Sequence, residues 1–308
     1  MNTGKLSRFQ NAFLWAMCIA CSLPQAWAAT GVIDRFRDPQ PIMIAHRGCW
    51  TITSENSLKG LKACAERGVD IVEVDVRATK DGQLVLMHDD TLDRMTNRSG
   101  RVEDMSASEF KSTRLRQGAG GEHAPITAEA PPTFVEELRA AKDHLVLYLD
   151  IKVPSTKERI YQTIEQEGAE DWVIFPVDTT ELSTMPEWAR RRTILNAVQC
   201  GVDGLTTGCF ATLAEAVDAY RLLRPLAIGV FFKTDDFLKS NARAGIRLQV
   251  WTNAPMFAGG RDEANSSLQP GTVWADCLKR GLDVIATDNA VGLSDYLKSI
   301  SAAKQGTR

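Results

Sequence analysis

One pattern constrains this chain more than any other. A glycine, an apolar residue and an aspartate stand before an apolar run three times: Gly68-Val-Asp70 before Ile71–Val76, Gly201-Val-Asp203 before Gly204–Thr207, and Gly281-Leu-Asp283 before Val284–Thr287. Glycine just past a helix end, followed by a short apolar strand, is the connection that closes an αβ unit. Repeated αβ units demand a parallel sheet. Further strands are expected at Ile42–His46, Leu145–Asp150, Trp172–Val177, Leu226–Phe231 and Ile246–Trp251. The total is eight parallel strands, which points to an α/β fold of the (β/α)8 TIM-barrel type.

Patterned helices lie between the strands. Ser54 or Asn56 can cap a helix carrying Leu58 and Leu61, and Thr133-x-x-Glu136 and Thr212-x-x-Glu215 read as capping boxes. Pro186 suits the first turn of a helix carrying Trp188, Leu195 and Val198. Residues 89–131 break the rhythm, being polar and glycine-rich with one short helix capped at Ser106-x-x-Glu109. A stretch of that kind, leaving the barrel after the second strand and its hairpin, reads as an inserted lid or small subdomain.

The amino terminus reads as a cleavable export signal. Lys5 and Arg8 precede the apolar run Ala12–Ala20, then Pro24 and the Ala26-Trp27-Ala28 cleavage pattern. That run is too short to span a bilayer. The expected organisation is a signal peptide over 1–28, one barrel domain over 29–300 and a tail over 301–308. The mature protein would be periplasmic or secreted, without stable membrane insertion. Cleavage takes the net charge from −3 to −5, since Lys5 and Arg8 leave and no acid does. No basic stripe interleaved with aromatics marks a nucleic-acid site. Five cysteines would remain: Cys49, Cys64, Cys200, Cys209 and Cys277. Odd in number and without C-x-x-C spacing, they predict neither a zinc site nor a disulfide framework. Cys200 and Cys209 flank a predicted strand whose rise of roughly 13 Å is too long for a disulfide, so no bond is expected between them.

The chemistry gathers at the strand ends. Glu73 and Asp75, at i and i+2, leave one face of an apolar strand. With Asp81-Gly82 as a two-residue hairpin turn, Lys80 faces Gln83 and His88 comes opposite Asp75. In a barrel of this kind the C-terminal rim carries the active site. That rim collects His46, Arg47, Glu73, Asp75, Asp150, Lys152, Trp251, Thr287 and Asp288, with His88 returning along the hairpin. Three carboxylates and no cysteine favour one hard divalent cation, Mg²⁺ or Ca²⁺. Two imidazoles suit a general acid and a general base. Arg47 and Lys152 suit the non-bridging oxygens of a phosphate. Cleavage of a phosphodiester follows from this inventory. The remaining histidines, His123 and His144, read as solvated or structural, and Cys49 as a small buried residue. Asp93 and Arg94 read as an ion pair pinning the insertion, and Asp288 as a loop cap.

The ordered series His46-Arg-Gly48, Glu55-Asn-Ser57, Glu73-x-Asp75, Thr79-Lys-Asp-Gly82, His88-Asp89 and Leu92-Asp-Arg94 resembles the glycerophosphodiester phosphodiesterase family. The likeness continues through Asp150-x-Lys152 and Trp251-Thr252 to Thr287-Asp288. It implies a TIM barrel with an insertion after the His-Asp motif, a divalent ion on Glu73, Asp75 and Asp150, and His46 and His88 as the acid–base pair. It further implies Arg47 and Lys152 on the phosphate, with Trp251 facing a small glycerophosphodiester such as glycerophosphocholine or glycerophosphoethanolamine. Two positions depart from the family pattern: Asp150 stands where Glu is usual, and Ser54 where proline is common. Asp-x-Lys is also similar to sphingomyelinase D-type phospholipases acting on lysolipids, which leaves them as the alternative. A binding protein without catalysis on the same barrel is the other.

Overall fold

The computed structural model describes residues 31–202, 208–239, 245–254, 257–260, 262–263 and 269–305. The predicted signal peptide and the predicted strand Gly204–Thr207 lie outside the described residues.

In chain order the helices are α1 (Val32–Arg37), α2 (Leu58–Arg67), α3 (Ala107–Lys111), α4 (Phe134–Ala141), α5 (Lys157–Glu167), α6 (Glu187–Arg190), α7 (Leu213–Tyr220), α8 (Pro270–Lys279) and α9 (Ala290–Gln305). The strands are β1 (Ile42–Ala45), β2 (Ile71–Ala78), β3 (Leu84–Leu86), β4 (Val146–Ile151), β5 (Val173–Val177), β6 (Thr193–Gln199), β7 (Cys209–Phe210), β8 (Ala227–Phe231), β9 (Arg247–Trp251) and β10 (Val284–Thr287). Parallel pairing runs β1-β2-β4-β5-β6-β8-β9-β10 and closes as β10 meets β1, with Ala45 opposite Thr287. This is the (β/α)8 barrel, with β3 hydrogen-bonded antiparallel to β2 as a hairpin.

Alternation along each strand decides what faces inward. Ile42, Ile44, Ile71, Val146, Tyr148 and Ala286 belong to one buried interior cluster, which Val32 and Phe36 of α1 close from the N-terminal end. The intervening residues, such as Met43, Val72 and Leu147, belong to the larger layer beneath the helices. Two residues beyond the interior set come His46, Glu73, Asp150 and Asp288, and four beyond comes Asp75. The functional residues therefore continue the inward face of the barrel into its C-terminal mouth.

Four expectations are corrected. The residues after Pro186 form only the short α6, and Leu195 and Val198 belong to β6, the fifth barrel strand. The apolar spacing that reads as a helix is a strand buried on both faces, where periodicity loses its meaning. The hairpin has a three-residue loop: Ala78 pairs with Leu84 and Thr79 N donates to Gln83 O at 3.0 Å. This shifts the register by one, so Met87, not His88, meets Asp75, its N–H donating to Asp75 O at 3.0 Å. Helix α2 is capped by Ser57, whose hydroxyl accepts from Gly60 N at 3.0 Å, rather than by Ser54 or Asn56. The Thr133 capping box forms in full, whereas Glu215 reaches back to Ala211 N rather than to Thr212.

The cysteine reading is also corrected. Cys49 is bonded to Cys64, with Cα atoms 5.5 Å apart, and Cys200 to Cys209, with Cα atoms 4.8 Å apart. Cys200 follows β6 directly, and the chain comes back to lie beside that strand, Cys209 opposite Val198. Cys277 is buried and takes part in neither bond. Removing the Cys49–Cys64 bond (C49S/C64S) is expected to cost about 3 kcal/mol, lowering Tm by roughly 6–12 °C in a calorimetric scan.

Residues 89–131 pack on the hairpin through a separate apolar cluster of Leu92, Met95, Val102, Phe110 and Leu115 with Val85 and Met87. Gly120 is required there: its φ is +73°, and a Cβ would come within 2.3 Å of Arg94 O. Helix α4 carries Glu137, buried, with Oε2 lacking a hydrogen-bond partner. Burial, reinforced by Glu129 and Glu136, pushes its carboxyl up to about 8. The folded protein therefore keeps this proton while the unfolded chain releases it near its ordinary value. Stability from this group is whole below about pH 4.5 and lost as pH rises through about 8. E137Q is expected to flatten that loss, raising Tm at pH 9 relative to the parent by roughly 5 °C or more.

Candidate active site

The mouth is built on the loop after β1. Arg47 adopts φ +55° and Asn56 φ +48°, conformations costly for side chains other than glycine. Both are over-determined by hydrogen bonds. Asn56 N donates to Arg47 O at 3.0 Å, and Arg47 N donates to Glu73 Oε2 at 2.8 Å. The Asn56 amide grips Asp75 twice, Nδ2 donating to Asp75 Oδ2 at 2.7 Å and Oδ1 accepting from Asp75 N at 3.0 Å. Asn56, one of two cap candidates by sequence, thus serves the acids instead. The left-handed bend brings the Arg47 side chain over the acids, Nε 3.8 Å from Asp75 Oδ2 and Nη1 donating to Glu55 at 3.2 Å.

Glu73, Asp75 and Asp150 each offer an oxygen within 4.8 Å of the others, the first two buried. Asp75 and Asp150 are register partners on β2 and β4, which sets this spacing. Although Asp150 is one methylene shorter than the usual Glu, it still reaches the group. Burial, then the neighbouring Asp75 and Asp150, pushes the Glu73 carboxyl well above its usual range. At Asp75 burial acts the same way, but Lys152, His88, Arg47 and the Asn56 hydrogen bond outweigh it and the carboxyl goes down. The Lys152 ammonium lies between two acids, 2.6 Å from Asp150 Oδ2 and 2.9 Å from Asp75 Oδ1. Burial works against its charge, and the two carboxylates more than offset that, raising it. Acids this close and this buried require a cation among them. The donor set is all oxygen and the excess charge is negative, so these residues fit a hard divalent ion.

Both imidazoles are oriented by carboxylates. His46 Nδ1 lies 2.5 Å from Asp288 Oδ1, and His88 Nδ1 lies 2.7 Å from Asp89 Oδ1. A carboxylate on Nδ1 fixes the ring and leaves Nε2 for chemistry. His46 Nε2 stands 4.0 Å from Glu73 Oε2. Asp89 is itself held by Arg94, whose hydrogen bond and charge, with those of His88, keep its carboxyl well below the usual range. Arg94 also donates to Glu55 Oε2 at 2.8 Å and to Ala119 O at 2.6 Å. It thus ties the insertion to the β1 loop, rather than pairing with Asp93 as expected. Asp288 is an imidazole partner, beyond the loop cap expected of it. Trp251 meets His46 edge to face with ring centroids 5.4 Å apart, and Tyr148 in the same manner at 5.7 Å. His46, Arg47, Glu73, Asp75, Asp150, Lys152 and Trp251 are therefore gathered as expected, and His88 approaches from the hairpin. Glu263, which the sequence singled out by no pattern, lies beside this group, its carboxylate bonded to Thr252, Thr287 and Trp274 and to the backbone of Asp288.

Barrel, insertion and an acid group flanked by oriented imidazoles together define a phosphodiesterase-type barrel. The sequence matches the profile of the Glycerophosphoryl diester phosphodiesterase family over residues 46–291. A glycerophosphodiester phosphodiesterase of Caldanaerobacter subterraneus subsp. tengcongensis is 32% identical over 219 residues, covering 68% of this chain and 85% of the relative. Glycerophosphodiester phosphodiesterase 1 of Mus musculus is 36% identical over 115 residues, covering 35% of this chain and 33% of the relative. Among solved structures, a glycerophosphoryl diester phosphodiesterase from Parabacteroides distasonis superposes with TM-score 0.64 at 23% identity, covering 87% of this chain and 92% of that one. A phosphodiesterase from Oleispira antarctica, solved with the product sn-glycerol-3-phosphate, superposes with TM-score 0.57 at 18% identity, covering 84% and 97%. At these identities the structures speak for the fold. The chain belongs to the glycerophosphoryl diester phosphodiesterase family, a family of phosphoric diester hydrolases.

Proposed function

We propose that this protein hydrolyses small glycerophosphodiesters to an alcohol and glycerol 3-phosphate, with His46 and His88 as the acid–base pair. The observation that carries the reading is the pair of imidazoles, each with Nδ1 on a carboxylate, in one mouth with the triad Glu73, Asp75 and Asp150. The triad would hold one divalent cation, Mg²⁺ or Ca²⁺, which when bound supplies Lewis-acid neutralisation of phosphate charge. Arg47 and Lys152 bind non-bridging phosphate oxygens, and the face of Trp251 bounds the space beside His46. One imidazole takes the proton from the attacking hydroxyl as the new P–O bond forms. The other gives a proton to the departing alkoxide as the old P–O bond breaks. With water attacking, glycerol phosphate forms directly; with the substrate's glycerol hydroxyl attacking, a cyclic phosphate precedes it.

Among the described residues, the large apolar side chains exposed near the insertion are Ile52 and Ile126. Two isolated isoleucines are far from the continuous apolar rim that a lysolipid tail would need, which favours soluble diesters. The apolar leader, the Ala-x-Ala pattern and two disulfides support export to an oxidising compartment. An enzyme-coupled assay of released choline, run in parallel on glycerophosphocholine, lysophosphatidylcholine and sphingomyelin, with glycerol 3-phosphate followed as well for the first, tests the substrate class. Release from the first alone is the expected result. Faster turnover of either lipid would replace this reading by the phospholipase one.

A further inference from the structure

Glu263 belongs to none of the sets described above, yet five donors converge on its carboxylate. Oε2 accepts from Thr252 Oγ1 at 2.8 Å, Thr287 Oγ1 at 2.6 Å and Trp274 Nε1 at 3.1 Å. Oε1 accepts from the backbone N–H of Asp288 at 2.7 Å and of Asn289 at 3.3 Å. The residue is 8% exposed. A buried carboxylate is costly, and using all of its acceptor capacity on neutral donors is what makes it tolerable.

The arrangement has a direction. Oε2 ties the ends of β9 and β10 together through Thr252 and Thr287, while Oε1 is spent wholly on the backbone that carries Asp288. Beyond that point Asn289 Oδ1 accepts from Gly292 N at 2.9 Å, so α9 pins the far side of the same turn. The Asp288 side chain itself is 32% exposed, so water competes for it and its own contacts hold it weakly. Its backbone, bonded to Glu263, carries it to 2.5 Å from His46 Nδ1, a nitrogen that Asn253 Nδ2 also approaches at 3.1 Å.

We propose that Glu263 is a positioning residue: by holding the Thr287-Asp288-Asn289 backbone, it fixes Asp288 on His46 Nδ1 and thereby the orientation and tautomer of the reacting imidazole. The proposal rests on the reading of His46 as an acid–base group. A mere brace of the strand ends would use the same Thr252 and Thr287 bonds without acting through Asp288.

The test uses the full chain with E263Q, D288N and the double variant. Steady-state kinetics on glycerophosphocholine are measured well below the unfolding temperature, alongside ¹⁵N spectra of the His46 ring, assigned by its absence in H46Q. E263Q is expected to lower kcat about tenfold or more with KM little changed, because neutral glutamine turns an N–H₂ toward donors. In the D288N background the same substitution is expected to add little, since both act on one contact. The Nδ1 signal should move in the same direction in E263Q and D288N. Thr287→Val, which removes one donor and spares the carboxylate, carries the same pair of readouts should E263Q fail to fold. A loss that multiplies in full on D288N, or an Nδ1 signal unmoved by E263Q or Thr287→Val, overturns the proposal. If D288N moves the signal while turnover is unchanged, the catalytic reading of His46 is what fails, and the positioning by Glu263 stands.

Discussion

Replacing His46 by glutamine is expected to lower kcat on glycerophosphocholine by about 10²–10⁴-fold, the range for losing a positioned general acid or base. With Nδ1 occupied by Asp288 and the ring wedged against Trp251, His46 has one nitrogen, Nε2, available at the mouth, and that nitrogen lies 4.0 Å from Glu73 Oε2. Glutamine keeps polarity and approximate length but transfers no proton. His88→Gln should cost a similar factor, because Asp89 holds His88 in the same way. The two variants separate the roles. A diester with a p-nitrophenoxide leaving group needs no proton on departure, so the variant lacking the acid recovers most of its rate there, while the variant lacking the base does not. If either variant retains the parent kcat on both diesters, that imidazole is not part of the chemistry.

The second large effect concerns the acid group. Asp75→Asn removes one of three carboxylates and replaces an acceptor of Asn56 and Lys152 by an amide. Divalent-cation affinity is expected to fall by about 100-fold or more, followed by calorimetric titration with Ca²⁺ and Mg²⁺. Turnover at low ion concentration should fall with it, and high ion concentration should restore part of it. The ion-free variant should unfold below the parent, because Lys152, Arg47 and Asn56 hold the Asp75 carboxyl below its usual range and lose a charged partner when it becomes an amide. An unchanged affinity would mean that the ion is held elsewhere. Asp150→Glu probes the same set from its exposed side: the longer acid should bind the ion at least as tightly, since β4 already places this position opposite Asp75.

Much of this site could be read from the sequence because strand geometry is simple. Glu73 and Asp75 must share a face of β2, and Lys152, just past the end of β4, continues the face of Asp150, whatever the neighbours do. The barrel was legible from glycine-terminated helices feeding apolar strands. What failed did so where tertiary context decides. Thr193–Gln199 is buried on both faces, so its apolar spacing carries no period and does not distinguish a strand from a helix. The hairpin register depended on whether Lys80 enters the loop, a choice settled by Lys80 N donating to Met105 O at 2.8 Å. Cys200 and Cys209 meet because β7 returns beside β6, a fact of topology. Asn56 and Glu263 do their work through long-range hydrogen bonds to Asp75 and to the Asp288 backbone, and no local pattern announces such partners.

On the proposed reading, the oriented imidazoles and the carboxylate group form one ion-dependent phosphodiesterase site. Phosphorus NMR on the metal-stripped mature protein with glycerophosphocholine, before and after adding Mg²⁺ or Ca²⁺, tests it most directly. The account predicts no change without an ion and, with one, the appearance of glycerol phosphate, either directly or after a cyclic phosphate. An unchanged diester resonance with both ions would contradict it, and so would equal turnover in the stripped protein.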